Sequence, residues 1–128
     1  MIFLDSSYII ARLYENQRKH NRAIKLNEYI ENETKLINTT VLMEVLNSIN
    51  YAYQIDSSYV LNTLLKVDNI HYLNNDDFLV ANNLFKHYNY AINFQDCLIL
   101  KTMQDYETNR IISFDNHFLK IKGLKVLR

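Results

Sequence analysis

Five short apolar blocks punctuate this chain, and each gives way to polar residues and then to a stretch of helical spacing. The blocks are Ile2-Phe3-Leu4, Lys35 to Asn38, Ile70 to Leu73, Arg110 to Phe114 and Leu124 to Leu127. They are short and apolar without alternation, as strands buried on both faces are. Between them, apolar residues recur at three- and four-residue intervals, which predicts helices. The first runs from Ser6 to about Tyr14, with Glu15-Asn16-Gln17 as its exit, and the second from His20 to Asn32. Val41 to Gln54 carries a broad stripe of Val41, Leu42, Val45, Leu46, Ile49 and Ala52. Asp56-Ser57-Ser58 opens a helix through Val67, and Asn75-Asp76-Asp77 caps one running to about Tyr88. Phe94 to Tyr106 is a further helix, and Asn116 to Ile121 a short helical turn.

Strands separated by helices pair in parallel through right-handed crossovers, with helices on both faces of the sheet. The expected class is therefore α/β. The first strand begins at Ile2 and must be central, or the N-terminus would fray. In such a sheet, ligands sit in the crevice beyond the carboxyl ends of the strands.

Length and composition narrow the picture further. At 128 residues the chain makes one domain, residues 1–128, with room for a real core. No apolar run approaches the roughly 20 residues that cross a bilayer, and no signal-like segment is present. The single Cys97 excludes an intramolecular disulfide and suits a reducing cytoplasm. The 14 basic and 14 acidic residues cancel, so a global basic footprint for nucleic acid is missing. Two local basic runs remain: Arg12, Arg18, Lys19, Arg22 and Lys25, and then Lys120, Lys122, Lys125 and Arg128. Solvated faces are the plainer explanation of both. With no proline and only Gly123, helix ends are expected to be punctuated by asparagine, at Asn32, Asn69, Asn89 and Asn109.

Four acids converge on the predicted crevice. Asp5 follows the first strand and Asp115 follows the fourth, so both lie at strand carboxyl ends. Asp96 lies in the first turn of the helix that ends near Tyr106. Glu44 sits inside the third helix, between Thr40 and the pair Asn47 and Ser48, on a narrow polar stripe. Each of the three aspartates has a structural explanation as a cap or first-turn acid, worth about 0.5–2 kcal/mol. Glu44 has none beyond an exposed helix face. Ionised carboxylates crowded together repel unless a cation joins them. Oxygen donors without partnering His or Cys suit Mg²⁺ or Mn²⁺ rather than zinc, and such ions drive phosphodiester hydrolysis.

The segments LDSS at 4–7, TTVLMEVLN at 39–47, FQDCLIL at 94–100 and ISFDNHF at 112–118 resemble the PIN-domain ribonucleases, particularly the VapC-type toxins of toxin–antitoxin pairs. The likeness spans the whole chain, in order. It implies a three-layer α/β/α fold with a short parallel sheet of order 3-2-1-4-5 and a divalent-metal site. It also implies endonucleolytic cleavage of RNA, a cognate antitoxin, a homodimer and cytoplasmic action. By position, Asp5, Glu44 and Asp96 match the family's metal-binding acids and Asp115 the acid of its last motif, while Ser6 or Ser7 matches the small hydroxyl after the first acid. Where relatives carry further acids, this chain has Asn93, Ile99 and Asn116 or His117, which leaves one ion or two open.

Other features carry less. Cys97 has no base paired with it and reads as a small buried thiol. His20, His71 and His87 lack metal-like spacing, and His117 reads as a surface residue within reach of a phosphate. Tyr51, Tyr53 and Tyr59 read as dimer contacts. An aspartyl-nucleophile phosphatase wants a second acid two residues after the first, where this chain has Ser7. A catalytically inactive RNA- or protein-binding module with the same fold is the non-enzymatic alternative, under which Asp5→Asn would leave function untouched.

Overall fold

The computed structural model describes residues 1–50 and 53–128. Five parallel strands form one sheet: β1 (Ile2–Leu4), β2 (Lys35–Asn38), β3 (Asn69–His71), β4 (Arg110–Ile112) and β5 (Lys125–Leu127), in the order β3-β2-β1-β4-β5. β1 is central. Phe3 is registered against Leu36 on one side and Ile111 on the other, and Ile2 and Phe3 have no exposed surface. The Ile2 N–H donates to the Thr34 carbonyl, and the Thr108 hydroxyl donates to the Met1 carbonyl. The N-terminus is thereby tied down despite its position.

Helices α1 (Ser6–Leu13) and α2 (His20–Tyr29) join β1 to β2, and α3 (Thr39–Ser48) and α4 (Ser57–Leu64) join β2 to β3. Helices α5 (Asn75–His87) and α6 (Phe94–Asp105) carry the chain back to β4, and a 3₁₀ turn (Asn116–Lys120) leads to β5. The steps to β2 and β3 run one way and the step to β4 reverses across β1. Right-handed crossovers therefore put α1–α4 on one face and α5–α6 on the other. The reversal falls between β1 and β4, where the crevice of a doubly wound sheet opens.

A large apolar cluster joins the strands to α1–α4 and takes in Ile99 and Met103 of α6. A smaller one, built on Ala81, Ile92, Cys97, Leu98 and Leu100, seals α5 to α6. Burial accounts for Cys97, whose thiol is pushed up by desolvation first and by nearby Asp96 second.

Asparagine punctuates helix starts more than helix ends. Asn38, Asn74 and Asn93 cap α3, α5 and α6 with their side-chain oxygens. Asn74 makes a reciprocal capping box with Asp77, in place of the 75–77 cap expected from sequence. Of the four asparagines expected at left-handed exits, only Asn89 has positive φ; the other non-glycine residues with positive φ among the described ones are Gln54, Tyr90 and Glu107. The amide oxygen satisfies otherwise orphaned N–H groups at a helix start, and that gain decides where asparagine is used. Gly123 adopts φ +85 with nothing near a would-be Cβ, so conformation rather than crowding requires it.

Boundaries differ from the apolar spacing in several places. Capped by Asn38, α3 starts at Thr39 and ends at Ser48, where Ile49 turns extended. The expected continuation to Gln54 and the contact role of Tyr51 fall partly on residues 51 and 52, outside the described residues. Strands β3 and β4 stop at His71 and Ile112 because the chain beyond turns to side-chain partners.

Candidate metal-binding site

Asp5 stands at the helix-capping position of α1, yet its carboxylate makes no capping hydrogen bond. Its Oδ2 instead accepts from the hydroxyls of Ser7 at 2.5 Å and Ser113 at 2.7 Å. Ser7 Oγ also accepts the Phe114 N–H, and Ser113 Oγ the Asp115 N–H, each at 3.0 Å. The first turn of α1 and the segment after β4 are thus laced together around one carboxylate oxygen. The capping explanation of Asp5 does not describe what its side chain does.

Glu44 lies one turn into α3 and accepts from Ser6 Oγ at 2.8 Å. The two serines after Asp5 therefore serve different acids. Desolvation is the main cause raising the Glu44 carboxyl above its ordinary range; the Ser6 hydrogen bond opposes this, while Asp5 and Asp115 add repulsion.

Asp96 is buried in the first turn of α6, where its N–H is bound by the Asn93 cap at 2.8 Å. Its carboxyl is pushed up to about 6, by burial first, with repulsion from Asp115 and Asp5 also raising it and His117 lowering it. Asp115 caps the 3₁₀ turn, accepting from the His117 N–H at 3.2 Å. His117 Nδ1 lies 3.2 Å from Asp96 Oδ2 and 3.3 Å from Asp115 Oδ1. This histidine is half exposed, but it stands between two acids rather than free at the surface.

Among the described residues, no lysine or arginine lies within 4 Å of Asp5, Glu44, Asp96 or Asp115. Glu44 and Asp96 nonetheless feel the other two acids, since Asp5 and Asp115 both raise them. Their donor atoms do not close on a point: among the described residues, the trio of ligand atoms lying within 4.8 Å of one another is His71, Asp77 and Asp105. Repulsion between uncompensated carboxylates keeps such a set apart. An oxygen-rich set with excess negative charge, two members desolvated and no ammonium or guanidinium among them, fits a hard divalent cation.

The closed trio is of another kind. His71 Nε2 lies 2.8 Å from Asp77 Oδ2, and Lys101 Nζ 3.3 Å from Asp77 Oδ1, while Lys101 also pairs with Asp105. Burial would raise Asp77, but hydrogen bonds from the Asn74 N–H, His71 and Lys101 outweigh it and hold the carboxyl low. Hydrogen bonding to Asp105 is the main cause raising Lys101. A cation of the chain's own already fills this cluster.

Sequence reasoning named the four acids and both serines as candidates and put His117 within reach of a phosphate, but it did not foresee Ser113 donating to Asp5, Asn93 capping α6 or His117 standing between two acids. Ser113 directly follows an apolar strand, and Asn93 directly precedes a helical run; both were readable signals.

A PIN domain family model matches residues 2–124. No curated protein sequence matches the chain. Among solved structures, the fold is similar to Mycobacterium tuberculosis VapC20, a sarcin-ricin loop cleaving toxin, at 19% identity and TM-score 0.82, covering 100% of this chain and 99% of that one. It is also similar to a toxin–antitoxin complex from Klebsiella pneumoniae, at 20% identity and TM-score 0.71, covering 100% and 97%. FitAcB from Neisseria gonorrhoeae aligns at 13% identity and TM-score 0.70, again covering 100% and 97%.

Proposed function

Starting from the premise that this chain belongs to the PIN domain family, we propose that it is a divalent-metal-dependent RNA endonuclease and the toxin of a toxin–antitoxin pair. The observation that carries the reading is the set of four acids at the β1/β4 switch point, which have no lysine or arginine partner and in which Asp5 and Asp115 raise the proton affinity of Glu44 and Asp96. Asp5, Glu44, Asp96 and Asp115 would hold Mg²⁺ or Mn²⁺, as one ion or two. When bound, the ion supplies Lewis acidity toward the phosphate and lowers the pKa of water.

The chain's own residues do the rest. Ser7 and Ser113 fix the Asp5 carboxylate by two hydroxyl donors, and Ser6 fixes Glu44. Glu44, half-buried and with raised proton affinity, is the group suited to take a proton from the attacking water. His117, at the open rim between Asp96 and Asp115, can donate to a phosphate oxygen. No serine or cysteine nucleophile is needed, and Cys97 is buried away from such a role.

An open, mainly apolar groove of about 660 Å³ lies between α1, α2 and α4, lined by Tyr8, Ile9, Leu13, Ile24, Ile55 and Tyr59. The chain is taken to act as a single domain, as a homodimer, in the cytoplasm. No helix among the described residues is long and apolar enough to cross a membrane.

The test is cleavage of RNA with added Mg²⁺ or Mn²⁺, its loss with chelator, and its loss in Asp5→Asn. Activity unchanged in excess EDTA would refute metal dependence. Host toxicity that a co-expressed, upstream-encoded partner relieves supports the toxin reading, and harmless expression in several hosts counts against it.

A further inference from the structure

We propose that Lys19, Arg22 and Arg128 form a phosphate-binding rail along one side of the acid crevice, which seats the sugar–phosphate backbone of the RNA; this rests on the ribonuclease reading above. Lys19, at the start of α2, holds its ammonium 5.8 Å from the centroid of the Phe114 ring. Phe114 is bound through its N–H to Ser7, the hydroxyl that also holds Asp5. One turn further along α2, Arg22 donates from Nε and Nη2 to the main-chain oxygen of Arg128, at 3.1 and 2.7 Å. Arg128 Nη1 in turn donates to Asn116 Oδ1 at 2.9 Å, in the segment between Asp115 and His117. Two basic runs separated by about a hundred residues thus meet on the loop that carries one of the acids.

All three cations are exposed, and none has an Asp or Glu carboxylate within 4 Å among the described residues. By contrast, Lys101 and Arg110 are consumed by internal ion pairs. Beyond the hydrogen bonds that join Arg22, Arg128 and Asn116, gathering cations with no Asp or Glu partner at one place costs the fold free energy, because like charges repel. It does complement a polyanion that must approach a crevice lined by acids. RNA phosphates need an attraction there that those carboxylates oppose.

The structure also divides the second basic run. Lys125 starts β5 opposite Arg110, at the amino ends of the strands, and Lys122 lies with Thr108 and Asn109 at that same end. These two face away from the crevice and form a built-in control.

The experiment measures binding of a labelled single-stranded RNA of mixed sequence to the full chain in EDTA, where cleavage plays no part, across a series of salt concentrations. For Lys19→Ala/Arg22→Ala/Arg128→Ala the expected result is at least about tenfold weaker binding at moderate salt. The slope of log affinity against log salt becomes shallower by about 2, since each phosphate contact on a single strand contributes about 0.7. Lys122→Ala/Lys125→Ala binds as the parent does. Lys19→Gln alone, which leaves the Arg22–Arg128 contact intact, shows a smaller loss and a slope shallower by about 0.7. Equal losses in the rail and control variants, or an unchanged salt slope in the rail variant, would overturn the rail. Unchanged RNA binding with weakened capture of an acidic peptide would overturn it too, assigning the patch to a protein partner. Metal-stimulated cleavage by the parent chain is scored separately, so a failed rail and a failed ribonuclease reading give different results.

Discussion

Two clusters of acids are each built partly on α6, and they are completed in opposite ways. In one, Asp77 and Asp105 close around the Lys101 ammonium and the His71 ring, and Asp77 is held below its usual range although it is buried. In the other, Asp5, Glu44, Asp96 and Asp115 have no lysine or arginine, and buried Asp96 is pushed up to about 6. Burial alone therefore does not mark a functional carboxylate. The distinguishing feature is whether the fold supplies the counter-charge itself. Where it does, the acids knit β3, α5 and α6 together; where it does not, the proposed function assigns the counter-charge to an external cation.

Substitutions should separate the two clusters. The largest expected effect is on cleavage: Asp5→Asn or Asp96→Asn should lower the rate by about 10³-fold or more, as befits losing several kcal/mol of transition-state stabilisation. Melting temperature should stay level or rise, because repulsion is relieved. A large drop in melting temperature would place these acids with the structural group. Next, Lys101→Met should destabilise the fold by about 3–5 kcal/mol, read by urea denaturation, since Asp77 would keep a buried charge without its partner. The folded fraction should still cleave RNA. An intermediate effect is expected for Ser113→Ala, which removes a hydroxyl from Asp5 without removing a ligand: metal affinity should weaken about 10–100-fold, with little change in stability.

The smallest effect is one of pH, and its sign differs between the clusters. Asp96 in the folded, metal-free chain binds a proton up to about pH 6, against an ordinary value of 3.8. The folded state therefore holds more protons than the unfolded state across that window, and metal-free stability should fall as pH rises through it. Added Mn²⁺ should reverse the fall. For Asp77 the folded value is depressed, so its contribution is present above the ordinary 3.8 and lost only as pH falls below it. Melting curves of the parent, Asp96→Asn and Asp77→Asn, with and without metal between about pH 2 and about 7, check both signs.

Much of this was legible in the chain before folding. The order of strands and helices follows from apolar runs and spacing, and the strand ends point Asp5 and Asp115 at one crevice. Lys101 shows where such reading stops. It stands in the apolar run Cys97 to Met103, where period alone does not say whether a lone lysine is buried or turns outward. Its partner Asp77 lies on another helix and His71 on a strand, and only tertiary packing joins them. The rail has the same origin: Arg22 and Arg128 meet across nearly the full length of the chain. The switch of asparagine from expected helix ends to helix starts was a local matter, since Asn38, Asn74 and Asn93 each directly precede a helical run.

Mn²⁺ binding measured by calorimetry at neutral pH on the parent, Asp96→Asn and Asp77→Asn discriminates most directly between the two clusters. Saturable binding in the parent and in Asp77→Asn, abolished in Asp96→Asn, is the result predicted. Binding retained in Asp96→Asn and lost in Asp77→Asn would put the cation in the His71, Asp77 and Asp105 cluster and contradict the assignment.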